Sequence, residues 1–189
     1  MADQGSEGLL SPLLRARRIR AALPFLSGRV LDFGCGSGAL AAHVPPGRYV
    51  GVDQNPSALM EARRRFPLHR FCPRMPTGES FDTVAALAAI EHLPDPAEWL
   101  LQVRALVAPA GRVVLTTPHP AFRLLHEAGA RAGLFSREAA AEHETFLDRP
   151  SLDRLARGAG FRLARYRRFL LGANQLAILD TGEGAGNGS

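Results

Sequence analysis

The 189-residue chain contains no lysine: all 23 of its basic residues are arginine. That absence excludes a lysine Schiff base and a P-loop lysine. It also changes how the formal net charge of +5 is read. With alanine and glycine abundant, an all-arginine basic set points to compositional bias of the coding DNA, not to selection for phosphate contacts. The densest clusters are Arg15, Arg17, Arg18 and Arg20; Arg63, Arg64 and Arg65; and Arg165, Arg167 and Arg168. Each reads as a solvated helix or strand face, and a nucleic-acid surface requires several to converge. Cysteine is scarce. Cys35 and Cys72 give no disulfide framework, which favours a reducing cytoplasm. No apolar run approaches 18 residues, so no transmembrane helix is expected. Residues 1–8 are acidic and polar, unlike a signal peptide, and are expected to be disordered. There are no internal repeats, and the length suits one domain with a sizeable core.

What is present is concentrated in Val30-Leu31-Asp32-Phe33-Gly34-Cys35-Gly36-Ser37-Gly38. An apolar strand ends in an acidic residue and turns into three glycines spaced two apart. Glycine removes Cβ and allows positive φ, so backbone N–H groups can press against a ligand. Tyr49-Val50-Gly51-Val52-Asp53 reads as a second strand ending in a carboxylate. Asp53 follows Gly34 by 19 positions, the spacing at which an acidic residue meets ribose hydroxyls in a βαβ nucleotide site. The glycines alone also satisfy a looser dinucleotide pattern through Gly34, Gly36 and Ala39, or a bare strand-to-helix turn. Three further segments follow in order: Phe81-Asp82-Thr83-Val84, Ile90-Glu91-His92-Leu93-Pro94-Asp95-Pro96, and Gly111-Arg112-Val113-Val114-Leu115-Thr116-Thr117-Pro118.

Together these segments resemble the class I S-adenosylmethionine-dependent methyltransferases over about residues 25–180. The resemblance implies an α/β fold: a Rossmann-like, doubly wound seven-stranded sheet, mostly parallel, with an antiparallel last strand and helices on both faces. It implies one methyltransferase domain over residues 9–180, with a variable substrate-covering stretch at 119–150. The cofactor it implies is S-adenosylmethionine.

The coarse pattern agrees with that expectation. Residues 9–23 carry apolar positions at helical spacing with arginines between them, predicting a leading amphipathic helix. Asn55-Pro56 predicts a helix start, with its helix running to about Phe66. Asp95-Pro96-Ala97-Glu98 predicts a second, running to about Val107 before Pro109-Ala110-Gly111. A short third strand is expected at His69-Arg70-Phe71-Cys72. Residues 161–171 and 173–179 read as two final strands joined at Gly172. Residues 181–189 are Gly-rich without an apolar anchor, so a disordered tail is expected there.

The resemblance also implies roles. Gly34, Gly36 and Gly38 let the backbone approach the methionine and ribose portions. Asp32 lies near the cofactor's ammonium, and Asp53 accepts the ribose hydroxyls. Gln54 flanks the adenine. The family often has an acidic residue after the third strand, where this chain offers Cys72, Pro73 and Arg74. The adenine is therefore expected against backbone near Arg74 and Met75. Leu87 and Ala88 offer carbonyls to the ammonium. In ubiquinone-type O-methyltransferases a Glu-His pair like Glu91-His92 is associated with a metal, with a further acidic residue three positions earlier. Ala88 stands there in this chain, and no metal is expected. Glu91, His92 and Phe122 are the substrate-binding candidates. His119, between two prolines after the fifth strand, and His143 are the candidate bases, since a histidine near neutral pKa can take a hydroxyl proton.

The expected reaction is methyl transfer to a small-molecule hydroxyl, such as a sugar or secondary metabolite. N-methylation of an amine and a non-catalytic cofactor-binding partner subunit are the alternatives. The expected protein is a cytoplasmic monomer or homodimer without nucleic-acid or membrane partners.

Overall fold

The computed structural model describes residues 11–120 and 147–182. Seven strands form one sheet: β1 (Val30–Phe33), β2 (Tyr49–Val52), β3 (Arg70–Cys72), β4 (Phe81–Leu87), β5 (Val107–Pro118), β6 (Arg162–Phe169) and β7 (Asn174–Asp180). Their order is β3-β2-β1-β4-β5-β7-β6. The first five run parallel, and β7 lies antiparallel between β5 and β6. The helices are α1 (Ser11–Ala22), α2 (Pro56–Arg65), α3 (Pro96–Arg104) and α4 (Arg149–Gly158). This is the doubly wound, mixed sheet expected from the sequence.

Local chemistry sets the helix starts. The Asn55 side chain accepts from the N–H groups of Ser57 and Ala58, with Pro56 opening α2. Asp95 accepts likewise from Ala97 and Glu98 at 2.9 Å and caps α3. Such caps satisfy donors that the first helical turn leaves free. Period-two alternation then divides each strand between two faces. Leu31, Val84, Val113, Leu115 and Leu179 pack against Trp99 and Leu100 of α3 and Leu152 of α4. On the other face, Val30, Tyr49 and Ala85 pack with Ile19 of α1 and Leu59 of α2.

One boundary differs from the expectation. The helix predicted to reach Val107 ends at Arg104, and Val107 opens β5, which was expected to begin at Gly111. Pairing decides it: Phe81 of β4 aligns with Val107, and its N–H donates to Leu106 O at 2.8 Å. A register shift follows, and Thr83 aligns with Arg112.

Candidate active site

The carboxyl ends of β1, β2 and β4 converge on a cavity of about 760 Å³. Asp32, Gly34, Gly36, Leu87 and Ala88 line it from the sheet side. Its far wall includes Arg15 and Arg18 of α1. Ligands of open α/β sheets collect at such a strand edge.

The glycine loop is held by backbone. Gly34 and Cys35 both donate to Val52 O, at 2.8 and 3.0 Å. Gly36 donates to Asp53 Oδ2 at 2.8 Å, and Asn55 N donates to Asp53 Oδ1 at 2.8 Å. One carboxylate thus ties the loop to the start of α2. Gly36 has φ +52°, and a Cβ there would meet nothing within 4 Å, so the loop backbone faces open space. A Cβ at Gly34 would fall 2.7 Å from that of Ala89, a contact no larger residue tolerates. Gly38 serves packing instead: its missing Cβ makes room for Phe66 and Phe71 at 3.1 and 3.2 Å. Ala88 closes β4 with φ +57°, a conformation an L-residue adopts at some cost, and its N–H donates to Thr116 O at 2.8 Å.

Asp32 is 3% exposed and accepts a 2.6 Å hydrogen bond from the Tyr49 hydroxyl. Burial pushes its carboxyl from 3.8 up to about 7, with the Tyr49 bond opposing and the charge of Asp53 adding. Burial likewise pushes the Cys35 thiol up, so it is unreactive despite lining the cavity.

The other predicted residues are more dispersed. Gln54 is exposed, and Met75 is half-buried against the α3/α4 core. Glu91 is 2% exposed in a 3-10 turn (Ile90–His92), and its Oε2 has no hydrogen-bond partner. Burial raises its pKa, its own backbone and His92 opposing. Thr117 Oγ1 is also buried without a partner. His92 is exposed, and half-buried His119 donates its N–H to Ala173 O at 2.9 Å. Burial first, then Arg168, lowers the His119 pKa, which keeps the imidazole neutral at pH 7. Phe122 and His143 lie outside the described residues. Among the described residues, no three His, Cys, Asp or Glu side chains group to hold a metal ion. None of the described helices is long and apolar enough to cross a membrane.

Sequence reasoning missed three contributors. Arg15 and Arg18, assigned to a solvated face, line the cavity; their three-residue spacing on one helix is the signal that could have placed them there. Arg18 Nε donates to Asn174 Oδ1 at 2.8 Å across 156 positions, which no local pattern reveals. Tyr49 was read only as a strand residue.

A methyltransferase-domain family matches residues 9–166. The chain belongs to this family, the class I S-adenosylmethionine-dependent methyltransferases. That match spans the glycine loop, Asp53 and the strands that carry them. It is 31% identical over 119 residues to trans-aconitate 2-methyltransferase of Variovorax paradoxus, covering 56% of this chain and 46% of that one. It is 37% identical over 117 residues to tRNA U34 carboxymethyltransferase of Idiomarina loihiensis, covering 53% and 36%. With ubiquinone biosynthesis O-methyltransferase of Pseudomonas aeruginosa it shares 35% over 103 residues, covering 47% and 44%. The matches span less than half the length of each of these relatives. In a complex of the Haloferax volcanii Trm112 methyltransferase activator with a methyltransferase, one chain superposes with TM-score 0.70 at 18% identity, covering 89% of this chain and 88% of that one.

The residues present fit S-adenosylmethionine, the donor of this family. The cavity lies in the size range of ligand sites, about 300–1,000 Å³. The chain offers a glycine backbone open to solvent, a carboxylate on the wall, and a second carboxylate tied to two lining residues.

Proposed function

We propose that this methyltransferase moves a methyl group from S-adenosylmethionine to a hydroxyl of a small molecule. The supporting observation is the cavity itself: one concave site of about 760 Å³ joins the glycine loop and Asp32 to a wall of α1. The bound cofactor supplies an electrophilic methyl group, and the protein's task is to orient the acceptor, exclude water and take up a proton. In this reading Asp32, with the carbonyls of Leu87 and Ala88, meets the ammonium. Asp53 takes the ribose hydroxyls, and Gln54 and Met75 flank the adenine. His119, kept neutral by its surroundings, accepts the acceptor's proton. Glu91 and His92 face the acceptor, and Phe122 and His143 are the further candidates beyond the described residues. The O-methyltransferase among the relatives supports a hydroxyl acceptor.

An RNA acceptor is the second reading. It is favoured by the tRNA-modifying relative and by Arg165, Arg167 and Arg168 exposed along edge strand β6.

Calorimetry tests the cofactor half, with S-adenosylmethionine, S-adenosylhomocysteine, NAD and NADP against wild type, Asp53→Asn and Asp53→Ala. Micromolar binding of the sulfur compounds alone, lost in the variants, is expected. Binding of NAD with none of S-adenosylmethionine overturns the assignment. Labelled methyl transfer across a panel of alcohols, amines and RNA then tests the acceptor. Transfer to RNA with steep salt dependence selects the second reading.

A further inference from the structure

Asp32 stands in β1, and its partner across β2 is Gly51, not Tyr49; Tyr49 pairs with Val30. Tyr49 therefore lies two residues back on the same face of the sheet. Its ring must run along the strand, over Gly51, for its hydroxyl to reach the Asp32 carboxylate. The path exists because position 51 lacks a side chain. A Cβ there would fall 2.9 Å from Tyr49 Oη and 2.7 Å from Phe71 Cδ1. Glycine inside a buried strand weakens it, having no side chain to pack and more backbone freedom to lose. The phenol that uses this opening is 2% exposed and held edge-on by His69 and Phe71, with centroids at 5.4 and 5.6 Å. His69 is itself fixed through Nε2 to Val44 O at 2.9 Å.

The ring ends in a 2.6 Å hydrogen bond to Asp32 Oδ2. That length belongs to hydroxyl–carboxylate pairs, which are stronger than neutral ones. Phenylalanine would fill the same volume, so packing alone does not require the hydroxyl. No other hydrogen bond to the Asp32 side chain is made among the described residues, and Asp32 lines the cavity beside Gly34 and Gly36.

We infer that Tyr49 is a positioning residue for the amino-acid end of the cofactor: its hydroxyl fixes the Asp32 carboxylate in the orientation that meets the ammonium. The inference rests on the reading of Asp32 as the ammonium's partner. Gly51 is the space that lets the phenol reach, and the His69–Phe71 cage keeps it from swinging away.

Two ligands separate positioning from packing. S-adenosylhomocysteine carries the amino-acid portion; 5′-methylthioadenosine keeps the adenosine and lacks it. Tyr49→Phe should weaken S-adenosylhomocysteine by about tenfold, the ordinary worth of a hydrogen bond to a charged group, and leave methylthioadenosine within about twofold. Equal loss of both ligands in Tyr49→Phe, or loss of neither, overturns the role of Tyr49. Asp32→Asn separates this from the underlying reading. If Asp32→Asn keeps the preference for S-adenosylhomocysteine, the Asp32 assignment falls. If it removes the preference and Tyr49→Phe does not, only Tyr49 falls. A wild-type measurement is independent of how the variants fold. The Tyr49 hydroxyl proton should stay slow to exchange by NMR when S-adenosylhomocysteine binds, and its release on binding overturns the inference.

Discussion

Asp32 makes the stability of the free protein depend on pH in a direction unusual for a carboxylate. Its folded-state value, about 7, lies above the ordinary 3.8 because burial penalises the charged form. The folded state therefore binds the proton more tightly than the unfolded chain. Its contribution is fully present below pH 3.8 and is lost as pH rises through about 7. The full span is worth roughly 4 kcal/mol, and roughly 1–2 kcal/mol of it falls between pH 6 and pH 8. For a chain of this size that corresponds to about 3–6 °C in Tm. The perturbation is Asp32→Asn, which keeps the shape and removes the charge. Thermal unfolding of both proteins in phosphate from pH 6 to pH 8 should show wild type losing that stability relative to the variant. The difference between the two cancels the histidines, which titrate in both. Parallel profiles, or wild type gaining on the variant, refute the argument.

The same proton couples to the cofactor. An ammonium prefers the ionised carboxylate, whose fraction rises from about one tenth at pH 6 to one half at pH 7 if Asp32 titrates near 7. Affinity for S-adenosylmethionine should then rise about fivefold over that unit, below the range of about 7.7–8.0 where an α-amino group titrates. The groups facing Asp32 are Tyr49 and Asp53 from β2 and its end and Cys35 from the loop. Arg15 and Arg18 of α1 and Glu61 of α2 share the cavity. A flat affinity profile in wild type contradicts the coupling.

The β6–β7 hairpin turns through Leu170 and Leu171 at φ +53° and +54°, a geometry suited to Asn-Gly, and Leu171 is fully exposed. Replacing the pair by Leu170→Asn and Leu171→Gly should raise stability by about 1 kcal/mol, since left-handed backbone costs an L-residue roughly 1–2 kcal/mol; a lower Tm contradicts this. Glu91 is buried, its pKa is raised, and Oε2 lacks a partner. Glu91→Gln should therefore gain stability relative to wild type as pH rises above 4.5, the ordinary value for a glutamate. A variant less stable at pH 8 shows that Arg18 and His92, whose charges oppose the rise, hold the carboxylate ionised.

Local chemistry made much of the fold legible. Asn55-Pro56 and Asp95-Pro96 announce their helices because a cap bonds residues two or three positions on. The glycine loop is equally local, since its anchors, Val52 and Asp53, lie one crossover away. The start of β5 was not legible, because Val107 is a strand residue only through Phe81. Tyr49 was misjudged for a similar reason. Its importance depends on register, which places Gly51 opposite Asp32 and leaves the phenol to lean across.

The same distinction divides the two halves of the site. The cofactor half is built from consecutive backbone, so sequence displays it. The region proposed to hold the acceptor is framed by β7. Because β7 runs antiparallel to β5, its first residues arrive at the edge where the parallel strands end. There Ala173 O accepts from His119 N, and Asn174 Oδ1 holds Arg18. Gln175 Nε2 donates to Pro118 O at 3.2 Å and also to Leu147 O, while Gln175 Oε1 accepts from Tyr166 Oη at 2.8 Å. One side chain of β7 thereby holds both Pro118 and Leu147. Ala173 and the first two residues of β7 thus bring His119, Arg18, Pro118 and Leu147 to one edge of the sheet. None of these bonds joins near neighbours in the chain except Tyr166 to Gln175, nine positions apart. In the proposed reading, an acceptor site framed this way can be reshaped while the glycine loop stays intact, so local sequence displays the donor side and not the acceptor.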